Sequence, residues 1–168
     1  SKEIISLETI CKFLKVIRSY TDQPLEVLLL GGEPTVLPVK QLIDIANYVH
    51  QENFLILMST NGILKNKIIE LIPYYDSIQI TVNSDQEIDF WRKWSNKINV
   101  KLSGDETLTL QKLTHFIEYT KDFSRRSISM YFTDDFQELC LDPAIWQLLN
   151  SMTWKRNGSY LYTFYKGV

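Results

Sequence analysis

At 168 residues, 45% of them hydrophobic, the chain can bury a full core and reads as one domain. Its 20 acidic and 18 basic residues are interspersed, so no basic stripe offers the footprint that nucleic-acid binding needs. Residues 1–5 lack a charged-then-apolar leader, and the apolar runs fall short of the ~20 residues of a membrane helix; a soluble, cytoplasmic protein is expected, with no membrane partner. Ser6 is placed to cap a first helix in which Leu7, Ile10, Cys11, Leu14 and Ile17 recur on one face, ending near Asp22-Gln23-Pro24. A strand follows over Leu25 to Leu30. Pro34 and Pro38 lead into a helix with Leu42, Ile45, Ala46 and Val49 inward, then an apolar strand over Phe54 to Met58. Leu64 to Ile72 reads as a short helix, Ser77 to Val82 as a strand, Gln86 to Asn96 as a helix and Ile98 to Leu102 as a strand. Leu108 to Phe123 is a helix with Leu110, Leu113, Ile117 and Thr120 on one face, and Ser127 to Phe132 is the fifth strand. After that the rhythm changes: Asp142-Pro143 starts a helix through Leu149, and Met152 to Tyr165 reads as a hairpin turning at Asn157-Gly158.

Apolar strands separated by helical segments predict right-handed crossovers and a parallel sheet. The fold class is therefore α/β, a partial (β/α) barrel of about five parallel strands, with a core over residues 1–135 and a helix-and-hairpin extension over 136–168. In such folds the ligand lies beyond the carboxyl ends of the strands, where loops converge and helix amino termini present free N–H groups. This chain carries small or polar groups at those ends: Gly31-Gly32-Glu33, Thr60-Asn61-Gly62, Asn83-Ser84-Asp85, Ser103-Gly104-Asp105-Glu106 and Thr133-Asp134-Asp135.

The run Leu28-Leu29-Leu30-Gly31-Gly32-Glu33-Pro34 is the most informative of these. A buried apolar strand breaks at two glycines, which open the backbone to a ligand, and Glu33 adds an anionic acceptor suited to an ammonium group. A plain strand-to-helix turn would use the same residues, with Glu33 favouring the positive helix end. Asn61-Gly62 is a common turn dipeptide, and Asn83-Ser84-Asp85 and Ser103-Gly104 serve equally as caps or turns; the signal lies in their joint register. Other features read as structural: Trp91 and Trp94 as helix anchors beside Phe90, His50 and His115 without metal-spaced neighbours, Tyr160, Tyr162 and Phe164 as one packed face, and Asp134-Asp135 as a helix start. Cys11 and Cys140 are too far apart for a metal knuckle and read as reduced, buried thiols.

Gly31-Gly32-Glu33-Pro34 after an apolar strand, with Ser59-Thr60-Asn61-Gly62 at the next strand end, resembles the radical S-adenosylmethionine superfamily over almost the whole chain. The resemblance implies a partial barrel of six strand-helix units in which the Gly-Gly-Glu segment holds the methionine amino group of S-adenosylmethionine. That role maps to Gly31, Gly32 and Glu33, followed by Pro34. Ribose contacts would come from Thr81, Asn83 and Ser84, a glycine-bearing segment near the cofactor from Ser103 and Gly104, and adenine contacts from Thr60, Asn61 and the residues after Phe132. Family members also hold a 4Fe–4S cluster on a Cys-x-x-x-Cys-x-x-Cys loop ahead of the first helix assigned here. This sequence begins past that position, and neither Cys11 nor Cys140 substitutes, since cluster ligation needs several converging thiolates.

The expectation is thus a fragment of a radical S-adenosylmethionine enzyme, inactive as given, whose parent forms a deoxyadenosyl radical to abstract hydrogen from a peptide or protein substrate. The alternative is a cluster-free scaffold or binding protein of the same fold. A phosphate-binding barrel is a weaker third, for want of a glycine-rich phosphate loop. Without the first family strand, the strand at Leu25 becomes an edge, expected to be covered by residues 1–5, by the C-terminal hairpin or by a second copy in a homodimer.

Overall fold

The computed structural model describes residues 6–23, 25–104, 108–132, 143–145, 147–148 and 160–166, the last seven and 130–132 by backbone alone. The architecture is α/β, a sheet of parallel strands flanked by helices, as a partial barrel of strand-helix units predicts, with strands in chain order. The chain divides into two compact units, residues 1–78 and 79–168.

In the first unit, α1 spans Leu7–Tyr20, and Ser6 caps it by accepting from the Thr9 N–H at 3.1 Å. Its inward face is Ile10 and Leu14, while Cys11, expected to be buried, is only partly covered. β1 covers Glu26–Leu29, a 3-10 turn Pro34–Val36, and α2 Val39–Gln51. The residues α2 buries are Leu42, Ile45, Ala46 and Val49, the four that its helical periodicity picks out. β2, Leu55–Thr60, runs parallel to β1 with Leu28 opposite Leu57. α3, Lys65–Leu71, tightens into a 3-10 turn over Ile72–Tyr74. Arg18 ties the end of α1 to the loop before β2: its guanidinium donates to the carbonyls of Glu52, Asn53, Thr21 and Gln23 and lies 4.0 Å from the Phe54 ring centre.

β1 is not the buried strand its leucines imply. Leu28 is 47% and Leu30 59% exposed, while Val27 and Leu29 are partly covered. The reason is position: β1 ends the strand order, so one face and one edge have no neighbour among the described residues. The edge expected near Leu25 is present, and residues 1–5, one of its expected covers, lie outside the described residues.

β3, Ser77–Thr81, crosses into the second unit. There α4 is Asp85–Trp91, continued by a 3-10 turn Arg92–Trp94, β4 is Ile98–Gly104, α5 Leu110–Tyr119, and β5 Arg125–Phe132. Trp91 is fully buried, edge-on to Phe90 at 4.8 Å, which makes it the anchor expected of it. α5 is shorter than its periodicity predicts because Thr109 caps it, and its buried face centres on Leu113 and Phe116, with Ile117 only partly covered. β6, Tyr160–Lys166, pairs in parallel with β5. Only the second arm of the expected hairpin is therefore described, and it lies parallel to β5 in the sheet. The hairpin's first arm, Asp134, Asp135 and Cys140 lie outside the described residues. No helix among the described residues is long and apolar enough to cross a membrane.

Candidate functional site

Three residues of the first unit, two at the end of β2 and one in the 3-10 turn after β1, converge on one carboxylate. After β1 the chain turns through Gly31 at φ +96° and Gly32 at φ +55°, angles that side-chain-bearing residues rarely adopt. A Cβ at either glycine would meet no heavy atom within 4 Å, so backbone angle and not crowding demands glycine, and the peptide groups lie open. Gly31→Ala is expected to cost ~1–2 kcal/mol through the strained φ, read as a lower urea midpoint; an unchanged midpoint would show that the corner relaxes without cost.

The turn delivers Glu33 to the end of β2. Its Oε1 accepts from the Thr35 N–H at 3.1 Å, the Thr35 hydroxyl at 2.6 Å and the Thr60 hydroxyl at 2.6 Å. Its Oε2 accepts from the Asn61 N–H at 2.9 Å. Pro34 opens the following 3-10 turn, where its missing N–H costs nothing, and Glu33 is the cap of that turn. Burial alone would raise the Glu33 pKa, but the N–H of Asn61, the two hydroxyls and the N–H of Thr35 together outweigh it and hold the carboxyl below its ordinary range. Glu33 is ionised at neutral pH.

Asn61 turns its side chain back on its own loop, Oδ1 accepting from the Ile63 N–H at 3.0 Å, and Gly62 follows at φ +77°. The structure thus brings together Gly31, Gly32, Glu33, Pro34, Thr60 and Asn61. Two contributors carried no sequence signal of their own. Thr35 is fully buried and supplies two of the donors to Glu33, and Lys67 on α3 donates to the carbonyls of Thr35 and Leu37 at 2.6 and 2.7 Å, pinning the turn from below. Lys67 lies 32 and 30 positions downstream of these two partners, so nothing local marks it.

The remaining candidates belong to the second unit. Thr81 closes β3. Ser84 caps α4, accepting from the Glu87 N–H, while the Glu87 carboxylate accepts from the N–H of Asn83, one residue before the cap, at 2.7 Å; the arrangement is like a capping box shifted by one residue. Capping is thus the observed role of Ser84. Ser103 and Gly104 are not loop residues: they are the last two residues of β4, opposite Ser129 and Met130, because the β4–β5 ladder runs two residues beyond the apolar run. Asp105 and Glu106 lie outside the described residues. The histidines do find acidic neighbours, though not for a metal: His50 Nε2 is 2.9 Å from Asp76 and His115 Nε2 2.9 Å from Asp85. In a shallow depression of this unit, Arg92 pairs with Asp89 and Asp122, and the Tyr119 hydroxyl donates to Asp89.

Compared with known proteins, the chain matches no protein-family model and no curated protein. Chemically, the ledge of the first unit offers open glycine backbone beside a carboxylate whose Oε2 accepts one bond from the described residues, where an oxygen of this kind has room for about two. Such a surface suits a small cation that donates hydrogen bonds, a primary ammonium above all.

Proposed function

We propose that the ledge at Gly31-Gly32-Glu33-Pro34 seats the methionine end of S-adenosylmethionine, its ammonium on the open side of Glu33 Oε2 and on the carbonyls of the glycine turn. The observation that carries this reading is the Glu33 carboxylate itself: ionised, fixed between two strand ends by Thr60 and Asn61, and half used on one oxygen by the described residues. On the resemblance in motif, the parent protein is an enzyme acting on a peptide or protein substrate. S-adenosylmethionine supplies, when reduced, an oxidising carbon radical; this chain's own residues bind and orient it. A 4Fe–4S cluster does not fit the described residues: Cys11 is the one described free cysteine, and no group of three or more His, Cys, Asp or Glu side chains among them could hold a metal. The role proposed for the chain is therefore binding.

A second reading is a cluster-free scaffold that keeps the fold. It is favoured by the same carboxylate, because four donors of the chain itself already satisfy most of Glu33. Titration calorimetry of the full chain with S-adenosylmethionine separates the two. Binding that saturates below about 1 mM, and is matched by S-adenosylhomocysteine, which keeps the same methionine end, supports the ledge; absence of heat at several millimolar leaves the scaffold.

A further inference from the structure

The sheet of the second unit has two unlike faces. Along β4, Ile98, Val100 and Leu102 are buried, while Asn99, Lys101 and Ser103 alternate with them on the other face and are only partly covered. The parallel register sets Arg125 opposite Asn99, Ser127 opposite Lys101 and Ser129 opposite Ser103. Gln79 of β3 reaches this same face, its Nε2 donating to Ser127 Oγ at 2.8 Å, and Ser127 lies 3.3 Å from Asn99 Oδ1. Parallel sheets covered on both sides read as near-continuous apolar runs, so a face of amides and hydroxyls is a departure that packing does not explain.

Charge makes the departure specific. Lys101 and Arg125 are the ionisable side chains on the described part of this face, and both are cations. Arg125 is exposed to water, but Lys101 is half-buried in the middle of the strand, and its ammonium makes no hydrogen bond or ion pair among the described residues. Burial pushes its pKa below the ordinary lysine value. A desolvated cation that lacks a partner is costly, and apolar residues of similar length were available at that position.

We infer that the polar face around Lys101 is a binding site for a ligand carboxylate, with the ammonium as its charge partner and the Ser103 hydroxyl as a neighbouring donor, the Ser127 hydroxyl being committed to Asn99 Oδ1. A carboxylate fits better than a phosphate. The backbone N–H groups of β4 and β5 are committed to the ladder, so the nest of free amides that usually holds a phosphate is missing here, and one ammonium balances one negative charge. The inference stands on the second unit alone and does not use the reading of the glycine ledge.

The test is nuclear magnetic resonance of the full chain with lysine labelled at 13Cε and 15Nζ, the Lys101 signal assigned by its loss in Lys101→Met. Titration with N-acetyl-alanine should move that signal saturably, with an affinity at least tenfold above those of N-acetyl-alaninamide and inorganic phosphate. Ser103→Ala should weaken the N-acetyl-alanine response about threefold, with near-ultraviolet dichroism confirming that it folds. A separate titration with S-adenosylmethionine identifies the source: a saturable response there assigns the carboxylate to the cofactor, and its lack beside a response to N-acetyl-alanine assigns it to a substrate. No saturable movement with either carboxylate, an equal response to the amide, or tighter binding of phosphate would overturn the proposal.

Discussion

Glu33→Ala is expected to lower the stability of the first unit by ~3 kcal/mol, because it strips an acceptor from four donors at once. The Thr35 and Thr60 side chains that would lose their partner are both buried, so water replaces the carboxylate poorly. The pH dependence has a definite sign. A carboxyl whose folded pKa lies below its ordinary value of 4.5 contributes stability that is fully present above that value and is lost as pH falls through the lower folded one. The gap in urea midpoint between wild type and Glu33→Gln should therefore be largest near neutrality and shrink on acidification below pH 4.5. A gap that stays constant from pH 7 to pH 3 would mean that the charge of Glu33 contributes nothing, and that its role is steric. The same variant should abolish calorimetric binding of S-adenosylmethionine, whereas Thr35→Ser, which keeps the hydroxyl, should leave it within about threefold.

Trp91→Ala should cost ~4 kcal/mol in the second unit. The indole is among the largest fully buried side chains, and it packs edge-on to Phe90 and tilted against Trp94 at 5.8 Å. Chemical unfolding followed by far-ultraviolet dichroism reads the effect; a loss under 1 kcal/mol would show that the Trp91 site collapses, contrary to its tight packing. Trp94, only partly covered, should show a smaller loss on the same substitution.

Most secondary elements were legible because their signals are local. The periodicity of Leu42, Ile45, Ala46 and Val49 located α2, and Ser6 announced α1 by being a residue that caps well. Their ends were less legible, since the last turns of α3 and α4 tighten to 3-10 geometry, which side-chain pattern does not encode. The glycine corner was legible for the same local reason: Gly-Gly before Glu-Pro has few conformations other than a turn of positive φ leading into a short helix.

What the carboxylate of Glu33 touches was a different kind of question. Thr60 and Asn61 are 27 and 28 positions away, and only the parallel pairing of β1 with β2 brings them within hydrogen-bond reach. The same holds for Lys67, for Ser103 and Gly104 inside β4, and for the exposure of Leu28 and Leu30. Each depends on which strand lies beside which, and in what register. The alternation of strands and helices and the glycine turn after β1 are written in the chain locally, because both follow from neighbours a few residues apart. That Glu33 is the knot between two strand ends, that 160–166 joins the sheet in parallel, and that Lys101 sits on a polar face with no acid among the described residues emerge only in three dimensions, because those outcomes are set by contacts between segments that the chain keeps far apart.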